Sequence, residues 1–134
     1  HRDLHSFPTR RSSDLFDPGI APIGSDTDGI LRMVFETLRL MHEDPAFKGA
    51  HASVGLSNFT VMLPMKKADG SPVKGPLESA FLTMAMPLGL DFVIGSVKRN
   101  YQILEADHPA MLCVKDVLAR EGYDCVMRVM EYYS

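Results

Sequence analysis

Tryptophan is absent from this chain, and cysteine occurs only twice, as Cys113 and Cys125. Two thiols are too few for the disulfide framework of a small secreted domain, so reduced thiols and a cytoplasmic location are expected. Nowhere does the chain hold the run of about 18 apolar residues that a membrane-spanning helix needs. A basic excess is also missing. The net charge is −3 and the pI about 5.9, whereas a nucleic-acid partner would call for a positive face. Cys113 and Cys125 fall on helical segments without metal-ligand spacing, so they are expected to be small buried apolar residues. What is present is an ordinary globular balance, 46% hydrophobic and 23% charged over 134 residues,.

The first fifteen residues, His1 to Leu15, do not share that balance. They read HRDLHSFPTRRSSDL, with no apolar periodicity. A basic disordered arm is one reading. The sharper one is that the peptide resembles translated short-read sequencing-adapter DNA, which makes 1–15 a non-native segment and places the first native residue at about Phe16. Setting aside its three Arg and two Asp leaves 11 basic and 15 acidic residues, a charge of −4.

From Phe16 onward the chain alternates strand and helix. Val54-Gly55-Leu56-Ser57-Asn58 is an apolar strand running into a small polar tip, and Phe16-Asp17-Pro18-Gly19 ends in the same way with a carboxylate. Between them, Ser25-Asp26-Thr27-Asp28 offers an N-cap and first-turn acids. The helix that follows runs to about His42, with Ile30, Leu31, Val34, Leu38 and Met41 on one face,. A strand at about Ala52 to Leu56 leads into a long polar connection, Pro64 to Gly75. Pro76 opens a helix to about Met86, with Leu77, Ala80, Phe81, Met84 and Ala85 inside, and Asp91 to Gly95 is a third strand. Asp107-His108-Pro109 starts a helix to about Arg120, with Met111, Val114, Val117 and Leu118 inside. Gly122 precedes a last helix at about Tyr123 to Tyr132. The order β-α-β-α-β-α-α, with no strands close enough to hairpin, implies an α/β fold with a parallel sheet and right-handed crossovers. Three such strands leave open edges, so a piece of a larger structure is expected.

Asp17-Pro18-Gly19-Ile20-Ala21-Pro22-Ile23-Gly24, Gly55-Leu56-Ser57-Asn58 and Phe81-Leu82-Thr83-Met84-Ala85-Met86-Pro87-Leu88-Gly89-Leu90-Asp91 stand in that order. Over 16–134 the chain thereby resembles the pterin-binding barrel family. The methyltetrahydrofolate:corrinoid methyltransferases are the nearer branch and the dihydropteroate synthases the more distant one. The resemblance implies the C-terminal part, about strands six to eight with their helices, of a (β/α)8 TIM barrel. It implies methyl transfer between N5 of methyltetrahydrofolate and the cobalt of a corrinoid (cobalamin) carried by a partner protein. That activity belongs to the full-length parent; the fragment alone is expected to be inactive, and a homodimeric parent is compatible with the family.

By the same resemblance Asp17 takes the pterin's amide N–H and exocyclic amine, a two-oxygen acceptor facing a planar two-donor edge. Asn58 is the catalytic residue near N5, since a carboxamide can offer either its carbonyl or its NH2 as protonation changes. Gly55 and Ser57 let the backbone approach the ring. Lys74 stands where relatives often carry an Arg, a point charge in place of a planar fork, and is a possible contact for a folate tail. Ser96 stands at the third strand tip, where relatives often show a carboxylate, and the loop 65–73 is long for the family.

Plainer readings stand beside these. Asp17 is also a common turn residue before Pro-Gly, and Asn58 is equally able to satisfy a backbone group at the strand end. Lys66, Lys67, Lys74, Lys98 and Arg99 are expected to be solvated, His51 and His108 to be structural, and the methionines at helical spacing to lie in the core. Tyr132 and Tyr133 read as a packed or frayed end. Two other functions compete: a dihydropteroate synthase, and a non-catalytic pterin-binding protein. The first usually has a Ser-Arg-Lys-like tip and an Arg-x-His for diphosphate, neither of which appears here.

Overall fold

In the computed structural model, which describes residues 15–16, 19–47, 51–95 and 100–134, three short strands lie parallel in the order β1-β2-β3. They are β1 (Leu15–Phe16), β2 (His51–Gly55) and β3 (Leu90–Ile94). Phe16 pairs with Ala52, and Val54 with Val93, with an irregularity in the register between Ala52 and Ser53. Each connection holds a helix. α1 (Ile30–Glu43) joins β1 to β2, and α2 (Lys74–Ala85) joins β2 to β3. The Phe35 ring of α1 lies 5.3 Å from the Phe81 ring of α2, so both crossovers pack side by side on one face of the sheet. Sequential strand order with both helices on one face is a singly wound α/β arrangement.

α1 begins where Asp26 places it. This buried carboxylate accepts the backbone N–H of Ile30 through Oδ1 and of Leu31 through Oδ2, both at 2.8 Å. The two bonds satisfy donors that a helix start leaves orphaned. First-turn acids were expected and none is present, because the helix starts at Ile30, beyond Asp28. Leu31, Val34 and Leu38 are buried as the spacing predicts, and Phe35 joins them, while Ile30 and Met41 are only half-buried. Replacing Asp26 with alanine is expected to cost about 1–2 kcal/mol in urea denaturation. A loss indistinguishable from zero would show that the cap is not what fixes this helix.

α2 starts at Lys74, two residues before the expected position, and carries Pro76 in its first turn, where the missing N–H costs nothing. Gly89, at φ +101°, closes the 3-10 turn Met86–Leu88. A side chain there would meet His42 Nδ1 at 3.1 Å, so glycine lets the ends of α1 and α2 converge. The polar connection after β2 is more ordered than its composition suggests. Lys66 and Pro72 form an antiparallel bridge, and Asp69 accepts from both the N–H and the Oγ–H of Ser71. Lys67, expected in solvent, is half-buried with its Nζ 3.9 Å from the Tyr132 ring centroid, a cation–π contact that ties this turn to the C-terminal helix.

α3 (Pro109–Ala119) and α4 (Tyr123–Tyr133) close the chain. His108 caps α3 through Nδ1, which accepts from Ala110 N at 3.1 Å. Arg128 Nε donates to Asp116 at 2.6 Å between the two helices. Cys113 and Cys125 are both free and buried, and the Cys125 thiol donates to the Val117 carbonyl. Burial pushes the Cys113 thiol up to about 11 from an ordinary 9. Folding therefore favours the neutral thiol. Its contribution to stability is complete below pH 9 and is lost as pH rises through about 11,. Cys113→Ala is expected to flatten the stability profile in that window, and both native thiols are expected to resist thiol reagents at neutral pH.

The methionines divide: Met111 is buried, and Met41 and Met84 pack partly buried against the core as their spacing predicts, but most of the others do not have the expected core role. Met33, Met62, Met65, Met86, Met127 and Met130 are 46–79% exposed. Helical spacing locates a residue on a face but does not say whether another element covers that face.

Candidate functional site

β2 ends at Gly55, and the chain coils at once into a 3-10 turn, Leu56–Thr60. The tight period of such a turn separates its residues into two sets. Leu56, Phe59 and Thr60 point inward and are fully buried, whereas Ser57 and Asn58 are exposed. Phe59 anchors the turn with its ring 5.1 Å from that of Phe81. Asn58 is thus presented at the carboxyl end of the central strand by apolar residues on either side of it. A Cβ built on Gly55 would meet nothing within 4 Å, which leaves the strand end open on that side.

Asn58 Nδ2 donates to the carbonyl of Ile20 at 2.8 Å. Ile20 lies in the segment that follows β1, so this bond joins the loops leaving two adjacent parallel strands. It also fixes how the carboxamide faces. One N–H is spent on Ile20, while the Oδ1 carbonyl has no partner among the described residues. The plainer expectation, that Asn58 satisfies a backbone group, is met by one of its two N–H bonds and leaves the rest of the amide available.

The other sequence candidates separate. Ser57 is exposed beside Asn58. Lys74 is not a free loop cation: it is the first residue of α2 and half-buried. Helix α2 begins at Lys74, ahead of Pro76, so Lys74 sits at the helix start and not in the preceding loop. Asp17 and Ser96 lie outside the described residues, as do Lys98 and Arg99.

Sequence reasoning missed a buried carboxylate. Glu78, on α2, is 0% exposed. Its Oε2 accepts from Thr60 Oγ1 at 2.5 Å and its Oε1 from the Tyr101 hydroxyl at 2.6 Å. The signal was its place three residues before Phe81 and four before Leu82, on the stripe that faces the core. Gly95 makes room for the phenol, since a Cβ there would lie 2.6 Å from the Tyr101 oxygen. Gly95→Ala is accordingly expected to displace Tyr101 and destabilise the fold by about 1–3 kcal/mol, measurable as a lowered denaturation midpoint.

Elsewhere, a groove of about 540 Å³ is lined by Thr37, Leu40, Met41, Glu43 and Asp44 at the C-terminal end of α1, remote from Asn58. Among the described residues no three His, Cys, Asp or Glu side chains are grouped to hold a metal ion, and no helix is long and apolar enough to cross a membrane. The chain matches no protein-family model and no curated protein.

Proposed function

We propose that this chain is the strand-six-to-eight sector of a pterin-binding (β/α)8 barrel, and that the full-length protein moves a methyl group between N5 of methyltetrahydrofolate and the cobalt of a partner protein's corrinoid. Sequential parallel strands with both crossover helices on one face are how such a barrel is built,. The observation that carries the reading is the Asn58–Ile20 hydrogen bond. It draws the loops after two neighbouring strands to one rim, where barrel enzymes bind their ligands. The open side of Gly55 and the exposed Ser57 suit close approach by a flat ring.

On this reading Asp17 holds the pterin's amide and amino edge, and Asn58 meets N5. The methyl leaves without its bonding electrons, so the pair stays on N5 and a proton must be taken up there. Asn58 has a second N–H and an unspent carbonyl with which to follow that change,. Stabilisation that grows as charge develops on N5 raises rate instead of merely tightening binding. The corrinoid supplies the cobalt nucleophile, and its own chemistry belongs to the cofactor; this chain's part is to orient N5. Lys74 and Ser96 are held only as possible contacts to the folate.

The test is methyl transfer by the full-length protein from methyltetrahydrofolate to a corrinoid protein. Binding of methyltetrahydrofolate without turnover would favour a non-catalytic pterin binder. Diphosphate release from a pterin diphosphate and an aminobenzoate would favour a dihydropteroate synthase. No binding in any arm overturns the proposal. The 134-residue chain alone is expected to be inactive and prone to aggregate, since a three-stranded sheet presents unpaired edges.

A further inference from the structure

Glu78 has no part in the reaction proposed above, yet it is a fully buried carboxylate, and burying one is costly unless it is hydrogen-bonded. Its partners decide what it does. Thr60, which donates to Oε2, belongs to the same 3-10 turn as Asn58, two residues on. Tyr101, which donates to Oε1, belongs to the segment after β3, and its hydroxyl occupies the space that Gly95 leaves. One side chain on α2 therefore grips the chain where it leaves β2 and again where it has left β3. The adjoining turn of the helix extends the grip: Ser79 Oγ accepts from Gln102 N at 3.1 Å, and Thr83 Oγ1 accepts from Leu104 N at 3.0 Å. Together they lay the segment 101–104 along α2. Hydroxyl donors to a carboxylate make short, strong bonds, and in a buried network each bond polarises the next.

We infer that Glu78 is a positioning residue: through Thr60 it holds the Asn58 turn in its site geometry, and through Tyr101 it links the rim at β2 to the rim at β3. A buried polar link suits this work better than an apolar contact, because two directional bonds fix an angle that packing alone leaves soft. The role of Asn58 at N5 rests on the function proposed above; the positional link itself does not.

The test uses the full-length protein with ¹⁵N-labelled Asn and reads the order parameter of the Asn58 side-chain NH2. In the unaltered protein it is expected to be high, approaching the value of about 0.85 seen for rigid backbone. Thr60→Val, which keeps shape and removes the donor, is expected to lower it below about 0.6, and Thr60→Ser is expected to restore it. Tyr101→Phe, which removes the other hydroxyl donor to Glu78, is also expected to lower it, and to add little once Thr60→Val is present, since residues in one network are not additive. In turnover, Tyr101→Phe is expected to reduce kcat about tenfold, the loss of roughly one hydrogen bond to a charged group, with the pterin Kd nearly unchanged. An Asn58 amide that stays rigid in both Thr60→Val and Tyr101→Phe overturns the inference. If the unaltered protein transfers no methyl group, the proposed function falls, while the order parameters still decide whether Glu78 positions Asn58.

Discussion

On the proposed function, Asn58→Ala is expected to lower methyl transfer by the full-length protein about 100-fold, the usual cost of removing one preorganised donor aimed at developing charge. Affinity for methyltetrahydrofolate should change far less, because the rest of the pterin's contacts remain. The argument is geometric. Asn58 is exposed at the end of β2, its turn is anchored by fully buried Leu56, Phe59 and Thr60, and its carboxamide is oriented by the Ile20 carbonyl. Such a group needs little reorganisation when charge changes on N5. Asn58→Asp is expected to be at least as damaging. It replaces the N–H given to Ile20 with a second acceptor, so carboxylate and carbonyl repel and the two loops part. Rate and affinity both unchanged in Asn58→Ala would remove the residue from the mechanism.

Phe81→Ala carries the largest expected effect on stability, about 3–5 kcal/mol. Phe81 is fully buried and its ring lies between Phe35 of α1 and Phe59 of the Asn58 turn, at 5.3 and 5.1 Å. Truncation loses the transfer energy of a large ring and both aromatic contacts, and leaves a cavity that three separate elements line. Against a total stability of about 5–15 kcal/mol, that removes a large fraction of what holds the protein folded. Phe81→Leu, which refills most of the volume, should recover the larger part. Urea denaturation checks both. A loss for Phe81→Ala smaller than that for Asp26→Ala would show that the ring cluster does not organise the core. The same substitution ought also to loosen Asn58, since Phe59 holds the turn from inside.

Local signals in this chain were legible because they act over a few residues. The apolar repeat at Leu31, Val34 and Leu38 marked α1, Pro109 after His108 marked the start of α3, and alternating strand and helix segments implied parallel pairing. Boundaries moved by a few residues where a neighbour intervened. Asp26 reaches past Asp28 to set the start of α1, and α2 begins at Lys74 ahead of its proline. Two expectations failed because burial is not a local property. Met33, Met127 and Met130 lie on helices yet are 46–58% exposed, and Lys67 is drawn from solvent by Tyr132, far along the chain.

What the sequence determined by itself was the succession of strands and helices, the polar tip after β2 and the candidacy of Asn58, since these follow from periodicity, turn chemistry and the residues at a strand end. Tertiary structure alone decided that Asn58 would be oriented by Ile20, and that Glu78 would be drawn inside to meet Thr60 and Tyr101, 18 and 23 residues away. The physical reason is that a carboxylate on a helix reads as solvent-facing until its hydrogen-bond donors are known, and those donors are brought to it only when the chain has folded.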